Sequence, residues 1–278
     1  MTSGNDSSPV FGDLDRQSSQ RQAMVVDVLD RLAGAPIIRA AREVARDALA
    51  LGPGQRVLDA GAGTGEVARD LATLVGPDGE VVAMDSSAAV VDVASRRHDG
   101  SPVRYVVGDI TAMGFPDASF DAVRSERVLQ HLAEPDAAVS ELLRVLRPGG
   151  RVALIDTDWQ SFLTDGIPRD LLDDLERRAE AAGLLRHGRS SSGRLLRGRL
   201  IRAGARDVVA RPITMALNDI PSTGVIHPAF NFAALRAVGF LPEEVIAPWV
   251  DAVESAVARD EFLAVITIWV ATGTRPGA

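Results

Sequence analysis

The chain has 278 residues, 46% of them hydrophobic, with no cysteine and a formal charge of −8. That length can bury a full α/β core, while the acidic balance argues against general nucleic-acid binding, which needs a basic face. Without cysteine there is no disulfide, no thiolate metal site and no cysteine nucleophile.

Residues 1–18 are polar, with neither the apolar stretch of a secretory signal nor, anywhere later, the ~18-residue apolar run of a membrane span. The expected location is therefore the cytoplasm. Helices are expected over Gln20–Ala33 and Pro36–Leu51, the second carrying an apolar stripe at helical spacing. Together they make residues 1–50 an N-terminal helical segment that could pair two subunits into a homodimer. From residue 51 the pattern alternates. Strand Arg56–Asp59 precedes helix Glu66–Val75, strand Glu80–Asp85 precedes helix Ala88–His98, and strand Val103–Gly108 leads through a loop to strand Phe120–Ser125. Helix Pro135–Leu146 runs into Arg147-Pro148-Gly149-Gly150, a stop signal, before strand Arg151–Asp156. Such alternation implies right-handed crossovers and a parallel sheet, an α/β doubly wound, Rossmann-like fold. Helices Arg169–Ala182 and Gly193–Ala203 follow, then strands Arg206–Leu217 and Phe262–Thr272, which bring the strand count to seven. The insertion between those last strands, about 218–260 with a helix near Pro242–Ala258, is long enough to be a lid or binding element rather than an idle loop.

The most informative stretch is Val57-Leu58-Asp59-Ala60-Gly61-Ala62-Gly63-Thr64-Gly65. An apolar strand ends in an acid, and alternating glycines then let a ligand approach the backbone at a helix N-terminus. A dinucleotide site wants a third glycine where this chain has Glu66, a carboxylate that a diphosphate would meet. An acid at the strand end suits a ligand with an ammonium group instead. Asp85, about 20 residues on, ends the second strand and can accept both ribose hydroxyls. Its other reading is a helix cap, a job Ser86 or Ser87 does equally well. Asp109 can accept from an adenine amine while Ile110 packs on the ring; alone, Asp109 also reads as an ordinary turn aspartate.

The glycine turn resembles motif I of the class I S-adenosylmethionine (SAM) methyltransferases. Arg124–Leu132 and Leu146–Arg151 resemble the later motifs of the UbiE/Coq5-like, or type 11, members. The resemblance covers about residues 55–158. It implies a mostly parallel seven-stranded sheet with one antiparallel strand near the C-terminus, and SAM lying across the carboxyl ends of the strands. Gly61 and Gly63 would meet the methionine part, Asp85 the ribose, Asp109 and Ile110 the adenine, and backbone at Arg124 the amino-acid end. Asp59, Ala60 and Ser86 complete the expected cofactor-contacting set. Ala62 stands where such families often carry Cys or Ser, which leaves the backbone role intact. Arg16, Arg21 and Arg39 could reach the SAM carboxylate, and no metal is called for.

Three catalytic candidates remain. His131 has the titration range of a general base, set against a histidine that hydrogen-bonds a neighbouring loop. Asp158, with Asp156 and Trp159 at the end of the fifth strand, could orient or deprotonate an acceptor hydroxyl; its alternative is a helix cap. His227, beside Asn231 in the insertion, is a second possible base or else a surface helix start. The expected activity is methyl transfer to a small, hydrophobic acceptor, with oxygen ahead of nitrogen or carbon. The alternatives are a SAM-binding enzyme of other chemistry and a nicotinamide-dependent oxidoreductase, which Glu66 disfavours.

Overall fold

The computed structural model describes residues 14–16, 18–181, 191–238 and 241–277. The expected polar N-terminus lies mostly outside them, as does the Arg21 side chain. Two helices lead in, α1 (Ser19–Ala33) and α2 (Pro36–Leu49). Pro36 opens α2, where its missing N–H costs nothing, and Ala50 closes it in the left-handed conformation at φ 43°. Helix α2 thus stops two residues before the expected Leu51. Its stripe of Ile37, Ile38, Ala41, Ala45 and Leu49 is buried within this chain's own core.

Seven strands follow: β1 (Arg56–Ala60), β2 (Glu80–Asp85), β3 (Val103–Val107), β4 (Phe120–Glu126), β5 (Leu146–Asp165), β6 (Arg206–Leu217) and β7 (Leu263–Thr274). They form one sheet in the order β3-β2-β1-β4-β5-β7-β6. Strands β1 to β5 pair in parallel, and β7 runs antiparallel to both β5 and β6. This is the expected Rossmann-like sheet. Successive residues of β1 enter opposite cores, Val57 on one face and Leu58 on the other, as a sheet covered on both sides requires.

Helices α3 (Glu66–Val75), α4 (Ala88–Arg96) and α5 (Pro135–Val145) make the crossovers, followed by α6 (Arg169–Ala181) and α7 (Ser192–Arg202). Between β6 and β7 come α8 (Ile220–Ile226), α9 (Phe232–Val238) and α10 (Glu243–Ala258). Phe230, Trp249 and Val253 from this insertion join the same core as α2.

Strand β5 departs from expectation. It runs through Pro148-Gly149-Gly150 and on past Asp156 to Asp165. The reason is β7, which offers ladder partners from Arg151 to Asp158 and again from Leu163 to Asp165. The intervening irregularity is held by Ser161 Oγ, which donates to Asp158 O (2.6 Å) and accepts from Thr267 N (2.9 Å).

Candidate active site

Strand order reverses between β1 and β4, and the crevice outside the carboxyl ends there is where such sheets bind ligands. Strand β1 delivers Asp59 and Ala60 to it. Gly61 then turns at φ 82°, and a Cβ there would lie 2.1 Å from Val128 Cγ2. The turn is tied to β2: Gly61 N and Ala62 N donate to Met84 O (2.7 and 2.9 Å), and Gly63 N donates to Asp85 Oδ2 (3.0 Å).

Asp85 Oδ1 accepts from Ser87 N (3.1 Å). These two hydrogen bonds leave further acceptor capacity on the carboxylate. Burial pushes the Asp85 carboxyl up, against backbone hydrogen bonds from Ser87, Gly63 and Ser86. The cap of α4 is Ser87, whose Oγ accepts from Val90 N, so Asp85 is not needed there. Asp15, in the 3-10 turn Leu14–Arg16, also caps this helix by accepting from Ser87 Oγ (2.7 Å), Ala88 N and Ala89 N. Ser86 is exposed beside them. Asp109 is exposed and Ile110 buried. Asp109 Oδ1 accepts from Thr111 N and Oγ1 (2.8 and 2.7 Å), an ordinary Asx turn that leaves Oδ2 without a hydrogen bond among the described residues.

The acid ending β1 does other work than expected. Asp59 is fully buried, and its Oδ1 accepts from Arg124 Nη1 at 2.8 Å. Arg124 Nη2 reaches Glu126 (2.5 Å), and Arg42 on α2 clasps Glu126 through Nε (2.9 Å) and Nη2 (3.0 Å) and touches Glu66 (3.2 Å). Asp59 therefore spends its charge on Arg124 rather than on a ligand ammonium, and its Oδ2 is buried with no hydrogen-bond partner among the described residues. Burial pushes the Asp59 carboxyl up despite Arg124. Burial works the same way on Glu126, but Arg124 and Arg42 outweigh it and hold that carboxyl below the usual range.

Residues 58–154 match the family described as a methyltransferase domain. Over 247 residues the chain is 35% identical to an uncharacterized 37.1 kDa protein in transposon TN4556 of Streptomyces fradiae, covering 88% of this chain and 70% of that one. Over 121 residues it is 40% identical to the demethylmenaquinone methyltransferase of Renibacterium salmoninarum, covering 44% of this chain and 49% of the relative. The chain belongs to the class I SAM-dependent methyltransferases of the UbiE-like type. It spans about half the length of the quinone methyltransferases it matches. The fold agrees with that of Haemonchus contortus phosphoethanolamine N-methyltransferase 2, solved with phosphomonomethylethanolamine and S-adenosylhomocysteine (TM-score 0.60, 18% identity, 96% of this chain and 60% of that one).

SAM is the methyl donor of this family, and the crevice fits it: a side-chain-free turn at Gly61 and a strand-end acid at Asp85 with acceptor capacity to spare. Of the arginines considered for the SAM carboxylate, Arg39 is exposed on α2 and Arg16 sits in the 3-10 turn before α1.

On the acceptor side of the methyltransferase, each catalytic candidate is already engaged. His131 ends a 3-10 turn, Leu129–His131, rather than lying on a helix. Trp159 Nε1 donates to Gln130 Oε1 (3.3 Å), and indole can only donate. The Gln130 amide nitrogen is thereby turned to His131 Nε2 at 3.0 Å, which must accept. Asp158 is buried and bidentate with Arg194 on α7 (2.5 and 2.8 Å). His227 is 4% exposed, not the start of a surface helix. Its Nδ1 accepts from Ala229 N (3.2 Å), so the proton sits on Nε2, 3.4 Å from Glu176 Oε1. The imidazole stacks on Phe162 (centroids 4.3 Å apart) and meets Trp159 and Phe230 edge-on. Asn231 caps α9 by accepting from Ala234 N (3.1 Å).

Sequence reasoning singled out neither Gln130, which joins Trp159 to His131, nor Ser192, which donates to the buried Asp156 at 2.6 Å. Gln130 lies inside the quoted motif; Ser192 carries no signal of its own.

Proposed function

We propose that this methyltransferase carries the SAM methyl group to a small, largely apolar acceptor, at the oxygen of an acidic phenol or enol. The observation that carries the reading is the engagement of His131, Asp158 and His227 in fixed partnerships beside an aromatic wall of Trp159, Phe162 and Phe230. A site whose candidate bases are all occupied suits an acceptor that ionises readily. When bound, SAM supplies an activated methyl on a sulfonium. The protein then has to hold the nucleophile in line and keep water out. In this reading Gly61 and Gly63 admit the methionine part, Asp85 and Ser86 hold the ribose, and Asp109 with Ile110 holds the adenine. Asp59, Ala60 and Arg124 support the amino-acid end. The described residues of the insertion, 218–238 and 241–260, form the cap over the acceptor, and helices α1 and α2 cover the cofactor side.

The runner-up is transfer to a ring carbon ortho to such a hydroxyl. It is favoured by relatives named demethylmenaquinone methyltransferase and ubiquinone/menaquinone biosynthesis C-methyltransferase. Titration with SAM and with NADH, followed by mass spectrometry of a panel of phenols, enols and hydroquinones, tests the proposal. It expects SAM binding and a gain of one methyl, with fragmentation assigning oxygen or carbon. Tight NADH binding without SAM binding would sink it.

A further inference from the structure

Arg127 follows β4 directly and has φ 57°, in the left-handed region that disfavours a residue with a Cβ. Such strain persists where surrounding structure enforces it, and it concentrates at functional sites. Two contacts fix the place. Arg127 N donates to Ile155 O (2.7 Å), beside Asp156 on β5, and the next residue, Val128, packs against Gly61. Arg127 thus stands between the turn assigned to the methionine part of SAM and the strand that leads to Trp159.

Its side chain makes no hydrogen bond or ion pair among the described residues, and Nε is sealed from solvent without a partner. The neighbouring guanidiniums are committed: Arg124 to Asp59 and Glu126, Arg42 to Glu126 and Glu66, Arg194 to Asp158. Glu126, Asp156 and Arg42 act on Arg127 only through space. Glu126 is already shared by two arginines, and Asp156 accepts from Ser192 at Oδ2 while its buried Oδ1 has no hydrogen bond, to Arg127 or to any other described residue. A half-buried guanidinium with Nε sealed off and no counter-ion bonded to it is poised to take an anion.

We propose that Arg127 holds the ionised oxygen of the acceptor. This rests on the reading of the acceptor as an acidic phenol or enol. The guanidinium presents N–H donors in a rigid plane and cannot itself lose a proton at ordinary pH. Donating to a phenolate or enolate oxygen, it favours the charged form of the acceptor. The hydroxyl proton then leaves to water, the oxygen keeps the electron pair that will bond to the methyl carbon, and no protein base is needed.

The test uses full-length protein loaded with S-adenosylhomocysteine and 4-nitrophenol as probe, read by the phenolate absorbance across pH. Wild type is expected to lower the pKa of the bound probe by about one unit or more. Arg127→Met should abolish that shift, and Arg127→Lys should restore part of it. The unliganded Arg127→Met protein should melt no lower than wild type, since no side-chain hydrogen bond or ion pair is lost and the sealed, unpartnered Nε–H is removed. An unshifted or unbound probe with wild type, an equal shift in Arg127→Met, or a clear loss of unliganded stability overturns the proposal. Calorimetry with SAM separates the two levels. If wild type fails to bind SAM, the methyl-transfer reading itself falls; if SAM binds and the probe stays unshifted, only the role of Arg127 falls.

Discussion

Arg124 and Asp59 form an ion pair of 2.8 Å with both side chains almost wholly out of solvent, 4% and 0% exposed. The pair ties β4 to β1 where the strand order reverses, and Glu126 and Arg42 extend it to α2. Removing one partner of such a pair leaves a buried charge uncompensated, at a cost of about 3–5 kcal/mol. Arg124→Met should therefore lower unfolding stability by about that much in urea denaturation. Asp59→Asn should cost less, because the amide oxygen still accepts from Arg124 and the unpartnered Oδ2 is replaced by a neutral group. Equal losses for the two variants would show that Arg124 answers the charge on Asp59 and not merely its acceptor oxygen.

Asp85 gives one lone pair of each oxygen to the backbone, at Gly63 and Ser87. Asp85→Asn keeps one acceptor oxygen and loses the other, so one ribose hydroxyl goes unpaired. A lost hydrogen bond to a charged group is worth about 1.5–3 kcal/mol, so SAM affinity should fall roughly tenfold to a hundredfold. Asp85→Ala should fall further, as it also frees Gly63 N. Calorimetry with SAM is the measurement; unchanged affinity in both variants would remove Asp85 from the ribose site.

These differences follow how local each signal is. The β1–α3 turn was legible because left-handed glycines and a strand-end acid sit within nine residues. The Asp85 site was legible because strand–helix spacing puts an acid at the next strand end. The pairing of Asp59 with Arg124 joins residues 65 positions apart, and that of Arg42 with Glu126 spans 84. No local pattern announces which acid an arginine on another element will take. For the same reason the local pattern ends β5 at Asp156, since its continuation depends on β7, about 100 residues on. His227 shows the limit most plainly. Whether it lies on the surface or beneath Phe162 depends on how the insertion folds back, which its own flanking residues do not encode.

Gly61 offers a test of the turn itself. Gly61→Ala must both hold φ 82° with a Cβ and displace Val128, whose Cγ2 would be 2.1 Å away. The variant should bind SAM poorly and melt lower than wild type. Adding Val128→Ala removes the clashing methyls but not the backbone strain, so the double variant should recover part of the thermal stability. A Gly61→Ala protein with wild-type melting and SAM affinity would mean the turn tolerates a side chain after all.

If His131 serves Gln130 and Trp159 rather than the acceptor, His131→Gln should change the methyl-transfer rate by less than about tenfold, below the usual effect of removing a general base. Its pH–rate profile should keep the wild-type shape. His227→Gln should act chiefly through stability, because the imidazole is packed against Phe162, Trp159 and Phe230. A loss of about a hundredfold or more in rate for His131→Gln, with SAM affinity intact, would return it to catalysis.

Asp156 supplies the clearest pH signature. Burial drives its carboxyl from the ordinary 3.8 up to about 7, against the hydrogen bond from Ser192 and the nearby Arg199 and Arg127. Between those values the unfolded chain has released this proton while the folded protein still holds it. The folded state binds more protons there, so this group lowers stability as pH rises from about 4 to about 7, after which its effect is level. The full span is on the order of 4 kcal/mol for this one group. Asp156→Asn keeps an oxygen for Ser192 and cannot ionise. The variant should match wild type near pH 4, gain on it steadily up to about pH 7, and hold that advantage above. Denaturation midpoints of the two proteins across this range measure the difference directly. A gap that stays constant from pH 4 to 8 would mean Asp156 ionises in the folded protein much as it does in water.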